Sequence, residues 1–205
     1  MFEDVEIKIK KRNKILFSRN SECIQILRGL ICEQKHAAIV FWVFDCMQTP
    51  LNEFMTAYPD EKDVRNAFEL CNAWARGEIK MPVAKRAILD CHAVAKRIDD
   101  EYFIALCHAI GQGCSAVHIE THALGLVFYE LTAIVIKNNY KNYENEVTQK
   151  LEFYMERLKW WQDNIERFEN EVRIADFLVK PRDFNKEKLL CQKTTFKEHN
   201  NQVFL

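Results

Sequence analysis

The chain has 205 residues, 48% of them apolar and 29% charged, with only 5 glycines and 4 prolines. That is enough chain to bury a core without metal or disulfide staples, and so few turn-formers predict long helices. Basic and acidic side chains balance at 29 against 30, so no overall field draws the protein to nucleic acid or to an anionic membrane.

The opening MFEDVEIKIK carries acidic residues early and no apolar core of signal-peptide length, which points to the cytoplasm. Residues 1–20 hold six basic side chains (Lys8, Lys10, Lys11, Arg12, Lys14 and Arg19), and Val5, Ile7 and Ile9 alternate, as in a short extended arm. Ser21 can cap a helix to about Gln34 whose Ile24, Leu27, Leu30 and Ile31 recur at helical spacing. A second helix, from about His36 to Gln48, is apolar on most sides.

Thr49-Pro50 marks a helix start, and Pro59 its end near Tyr58. Asp60 caps a helix to about Arg76, where Gly77 stops it. Met81-Pro82 opens another, and the Asp99-Asp100 pair caps the one after. Helical pattern runs from Glu101 to Asn138, with a break expected at Gly111 and Gly113. Ala123 to Ile136 is the most apolar stretch, too short to span a membrane and interrupted by Glu130.

From Leu151 to Val172, apolar residues alternate spacings of three and four, the a/d seam of one long helix. Such a seam serves an intramolecular partner and a homodimer equally well. The whole reads as an all-α bundle of seven to eight helices: a basic arm over 1–20, one helical domain over 21–177, and a loose polar tail over 178–205.

Few patterns suggest chemistry. The eight cysteines are scattered through apolar segments without a Cys-x-x-Cys pair, as reduced buried thiols would be. Gly111-Gln112-Gly113 lacks a phosphate loop's lysine, and no basic stripe accompanies the tryptophans, so neither nucleotide nor nucleic acid is expected. Histidines cluster at His92, His108, His118 and His122. The last two, in HIETH, would stack on one face of a helix and could share a metal. Glu120, however, is rotated about 200° from His118 on such a helix, unlike the glutamate of a zinc protease. Packing histidines is the simpler reading. The alternative is a metal protein or enzyme using this cluster with Glu120 or Glu130. In Cys91-His92 and Cys107-His108, neighbours point about 100° apart, so a Cys/His nucleophile pair would have to form across helices.

Three segments together carry a resemblance: AFELCNAWARGEI (Ala67 to Ile79), KRAILDCHAVAKR (Lys85 to Arg97) and AIGQGCSAVHIETHALGLVFYE (Ala109 to Glu130). Their order, the Trp-Ala-Arg-Gly turn and the Gly-x-x-x-x-Ala-x-His-x-x-x-His-Ala-x-Gly run resemble the immunity proteins of bacterial polymorphic toxin systems, over roughly residues 36 to 140. The motif falls here on Trp74, Gly77, His92, Gly111, His118, His122 and Gly125. The resemblance implies an all-α protein that binds and neutralises a cognate toxin, with neither cofactor nor catalysis of its own. The chain departs from the family in being rich in Cys, Phe and Ile where members are alanine-rich.

Overall fold

A computed structural model describes residues 1–180 and 185–192. Among them the fold is all-helical. The α-helices are α1 (Glu3–Lys10), α2 (Gln25–Cys32), α3 (His36–Cys46), α4 (Gln48–Ala57), α5 (Lys62–Ala75), α6 (Met81–Val94), α7 (Glu101–Ser115), α8 (Ala123–Lys137), α9 (Glu144–Glu171) and α10 (Asp176–Val179). Short 3-10 turns at Glu22–Ile24 and Glu120–His122 lead into α2 and α8, and residues 186–192 are also helical.

α7 is the hub. It packs on α3, α4, α5, α6 and α8, and burial of Ala105, Leu106, Ala109, Ile110 and Gly113 suits so crowded a position. α3 is the second buried element, with every residue but Asp45 withdrawn from solvent, as its unbroken apolar sequence requires. α9 lies across α3, α2 and α8. Its seam residues Leu151, Tyr154, Leu158, Trp161 and Ile165 are all buried. The chain's own helices therefore fill the seam from Leu151 to Ile165, whereas Phe168 is half-buried and Val172 lies past the end of α9 in extended backbone. Trp42, fully buried, donates its indole N–H to the Tyr154 carbonyl at 3.0 Å, and Asp45 accepts from Arg157 and from the Trp161 indole.

Several local signals work as expected. Asp100 accepts from the backbone N–H groups of Tyr102 and Phe103, capping α7, and Gly77 sits at φ +73°, the left-handed conformation that ends α5. Elsewhere packing decides. Residues 3–10 form a helix, not an extended arm, because Val5 is buried and Phe2 and Ile9 pack around it at helical spacing while Ile7 faces solvent. Acidic residues in its first turn and lysines in its last complement the helix dipole. α4 begins at Gln48, so Thr49 is inside the helix, and α5 begins at Lys62 without a side-chain cap from Asp60.

The end of the described chain is anchored. Glu187 is fully buried and accepts from Arg28 at 2.9 Å and from Arg19 at 3.1 Å, while Asn185 donates to the Ile31 carbonyl at 2.9 Å. The looseness expected of the tail does not hold for 178–180 and 185–192. Residues 181–184 and 193–205 lie outside the described residues.

Candidate functional site

α6, α7 and α8 pack side by side in chain order, and the sequence repeats one motif on the first two: Cys91-His92 on α6 and Cys107-His108 on α7. Adjacent helical positions diverge by about 100°, so each pair splits into an inward thiol and an outward imidazole. Across the interface the Cys107 thiol donates to the Cys91 carbonyl at 2.9 Å, with both sulfurs fully buried. On the outside, Nδ1 of His92 lies 3.1 Å from Nδ1 of His108. The pairing across helices is thus cysteine with cysteine and histidine with histidine, and no Cys/His nucleophile pair is assembled.

The histidine pair belongs to a half-buried polar cluster. Tyr129 of α8 lies tilted against His108 with ring centroids 5.1 Å apart, and His122 at the entry to α8 donates from Nδ1 to Oε1 of Gln112 at 2.8 Å. Two glycines bring the cluster close to the helix backbones. A Cβ on Gly111 would lie 2.5 Å from Cε1 of His92, and one on Gly125 would lie 2.5 Å from Oε1 of Gln112. The missing side chains let the ring and the amide rest directly on the α7 and α8 backbones. Gly111 and Gly113, expected to break the helix, lie inside α7, which runs on to Ser115. They are sites of close approach, Gly113 meeting Val43 of α3 and Met47 between α3 and α4.

Three of the cluster's imidazoles are pushed toward the neutral form. Burial, then the nearby His108 and His122, push the His92 pKa down to about 4. Burial also lowers His108, with Lys14 adding to the effect, and lowers His122, with His118 and Arg19 adding to it. Only one proton fits between the facing Nδ1 atoms, so the contact itself requires a neutral ring.

The remaining motif positions build a second seat. His118, expected one helical turn before His122, instead lies in a turn after α7, because the backbone turns extended at Ile119 (φ −144°, ψ 125°) before the 3-10 turn. The helical stacking of the HIETH histidines is therefore absent. His118 lies over Trp74, with centroids 6.3 Å apart. Trp74 also contacts Phe177, and a Cβ on Gly77 would meet Ala175 at 3.5 Å. The Trp-Ala-Arg-Gly turn is thus a docking point for the segment that follows α9.

Neither carboxylate of the enzyme alternative joins the histidines. Glu120 is buried and accepts from the Lys186 backbone N–H. Glu130 points toward α9, where it pairs with Lys150 at 2.5 Å and accepts from the Tyr154 hydroxyl. Burial raises the Glu130 pKa, against the pull of Lys150. Beside it a cavity of about 290 Å³ is lined by Glu53, Tyr102, Lys137 and Glu146 among others. Among the described residues, no set of three or more His, Cys, Asp or Glu is placed to hold a metal ion, and no helix is long and apolar enough to cross a membrane. Gln112 and Tyr129 escaped the sequence reading. Gln112 does follow His108 by one helical turn, which is the signal that could have found it.

A family model described as "Imm-5 like putative immunity protein" matches residues 29–157, from the last turns of α2 to the middle of α9. That span holds Trp74, Gly77, His92, Gly111, His118, His122 and Gly125. No curated protein matches the chain, and no solved structure does. With more than half of its length matched and all seven motif residues inside the match, the chain belongs to the Imm-5 like immunity-protein family.

Proposed function

We propose that the protein binds and neutralises a cognate bacterial toxin in the cytoplasm of the producing cell, without catalysis of its own. The observation that carries this reading is the family match over residues 29–157. The geometry adds a surface suited to the task. On the α6–α8 face, neutral imidazoles, an amide and a phenol are held against helix backbones by neighbours and by missing Cβ atoms. Such groups lose little side-chain entropy on docking and cost less to desolvate than charges. His108 and Tyr129 are the aromatic anchors expected to carry most of the binding energy, with polar contacts ringing them.

Co-expression with a toxin found by co-purification with this chain tests the proposal. Cells should survive only when the protein is present, and a His108→Ala/Tyr129→Ala variant should fold but protect poorly. Survival without the protein would remove the reading.

One observation favours a second reading. The 3.1 Å between the Nδ1 atoms of His92 and His108 is close to the roughly 3.3 Å that separates two imidazole nitrogens on one tetrahedral zinc ion. Elemental analysis of protein purified without added ions decides it: stoichiometric metal, lost in a His92→Ala/His108→Ala variant, would establish a metal protein.

A further inference from the structure

All eight cysteines are thiols, and six of them sit in three pairs. Cys91 with Cys107 and Cys71 with Cys114 are fully buried in the helix core, beyond the reach of any dissolved oxidant. The third pair differs in every respect. Cys32 ends α2 and Cys191 lies in the helical stretch 186–192, 159 residues later, yet their sulfurs are 3.2 Å apart. Cys32 is almost covered, whereas Cys191 is half-buried and reaches the surface. The other partly exposed thiol, Cys23, has Asp4 and Lys8 as its charged neighbours.

We propose that Cys32 and Cys191 form an oxidisable dithiol, a modification site at which a hydroperoxide converts the pair to a disulfide that ties residues 186–192 to α2. The sulfurs need to close by only about 1.2 Å to reach the S–S bond length of about 2.05 Å. The same segment is already held by the Glu187–Arg28 ion pair and by Asn185 on the Ile31 carbonyl, so the sulfurs meet without a search.

The order of events follows from exposure. Cys191, the accessible sulfur, attacks a peroxide oxygen as the thiolate, the O–O bond breaks, and Cys191 becomes a sulfenic acid with release of hydroxide. The Cys32 sulfur then attacks the sulfenic sulfur, the S–O bond breaks, and the departing hydroxide takes up the Cys32 proton as water. Two thiols and one hydrogen peroxide give one disulfide and two waters. Cys32 takes the second role by position, since it is almost covered and its sulfur lies 3.2 Å from that of Cys191, while burial and the neighbouring Cys191 push its pKa up to about 12 and so leave the first reaction to Cys191. The inference is independent of toxin binding.

The test treats the purified protein with a small excess of hydrogen peroxide, blocks remaining thiols, and maps tryptic peptides. The expected product joins residues 29–35 to residues 189–193, with an intact mass lower by about 2 Da and full reversal by dithiothreitol. Cys191→Ser should abolish the product without creating another disulfide, and Cys23→Ser should leave it unchanged. Reaction at Cys191 that stops at sulfinic acid, a cross-link among the buried cysteines, or no loss of thiols under these conditions would each overturn the proposal.

Discussion

Nδ1 of His92 and Nδ1 of His108 face each other across the α6–α7 interface at 3.1 Å, and a single shared proton satisfies both. Burial disfavours the charged ring, and a second proton would in addition set two N–H groups against each other. Folding therefore depresses the proton affinity of His92, from the ordinary 6.5 to about 4.

The sign of the pH effect follows. Between those two values the unfolded chain binds more protons than the folded one, so stability is complete above pH 6.5 and is lost as pH falls toward 4. Urea unfolding midpoints should drop across that window. A His92→Asn variant should flatten the drop, since its amide keeps a hydrogen bond to His108 without the titration.

Gly111→Ala should be destabilising although alanine is the better helix former. The gain of up to about 1 kcal/mol in helix propensity is outweighed by displacement of the His92 ring, an overpacking cost of about 1–3 kcal/mol. In the same variant, NMR titration should move the His92 pKa up toward 6.5, because the displaced ring gains solvent.

Arg28→Met should cost about 3 kcal/mol by chemical denaturation, because Glu187 is fully buried and would keep only the more exposed Arg19. Replacing both members, Arg28→Met with Glu187→Leu, should cost less than the single change, since no buried charge is then left behind.

Lys150→Met removes the cation beside Glu130. The Glu130 pKa, already raised by burial, should rise further. A raised carboxyl pKa gives stability that is present at low pH and lost as pH rises through the folded value. The variant should therefore be closest to the parent in stability near pH 4 and progressively weaker toward pH 8.

These predictions fall mostly on features that single-sequence patterns do not encode. α3 was legible because an apolar run of helix length has few other fates, and α9 because its seam repeats over several turns. Met81-Pro82, Asp100 and Gly77 act through local backbone chemistry, so they read directly. The N-terminal helix did not, since three β-branched residues at alternate positions fit an extended strand as well as a helix, and only the burial of Val5 beside Phe2 and Ile9 decides. Gly111 and Gly113 read as helix breakers because their actual role, admitting side chains from other helices, exists only after folding. Glu187 looked like any surface charge in a polar tail, and its partners Arg28 and Arg19 are more than 150 residues away. The histidine cluster was half visible: helical spacing pairs His118 with His122, whereas folding pairs His92 with His108 across two helices.

The most direct test of toxin neutralisation starts from the protein that co-purifies with this chain from its native host: the purified chain is titrated into that partner, with the partner's toxic activity as the readout. The account predicts loss of activity that is complete at one-to-one stoichiometry and is weakened by the His108→Ala/Tyr129→Ala variant. Undiminished toxin activity in the presence of excess folded protein would contradict it.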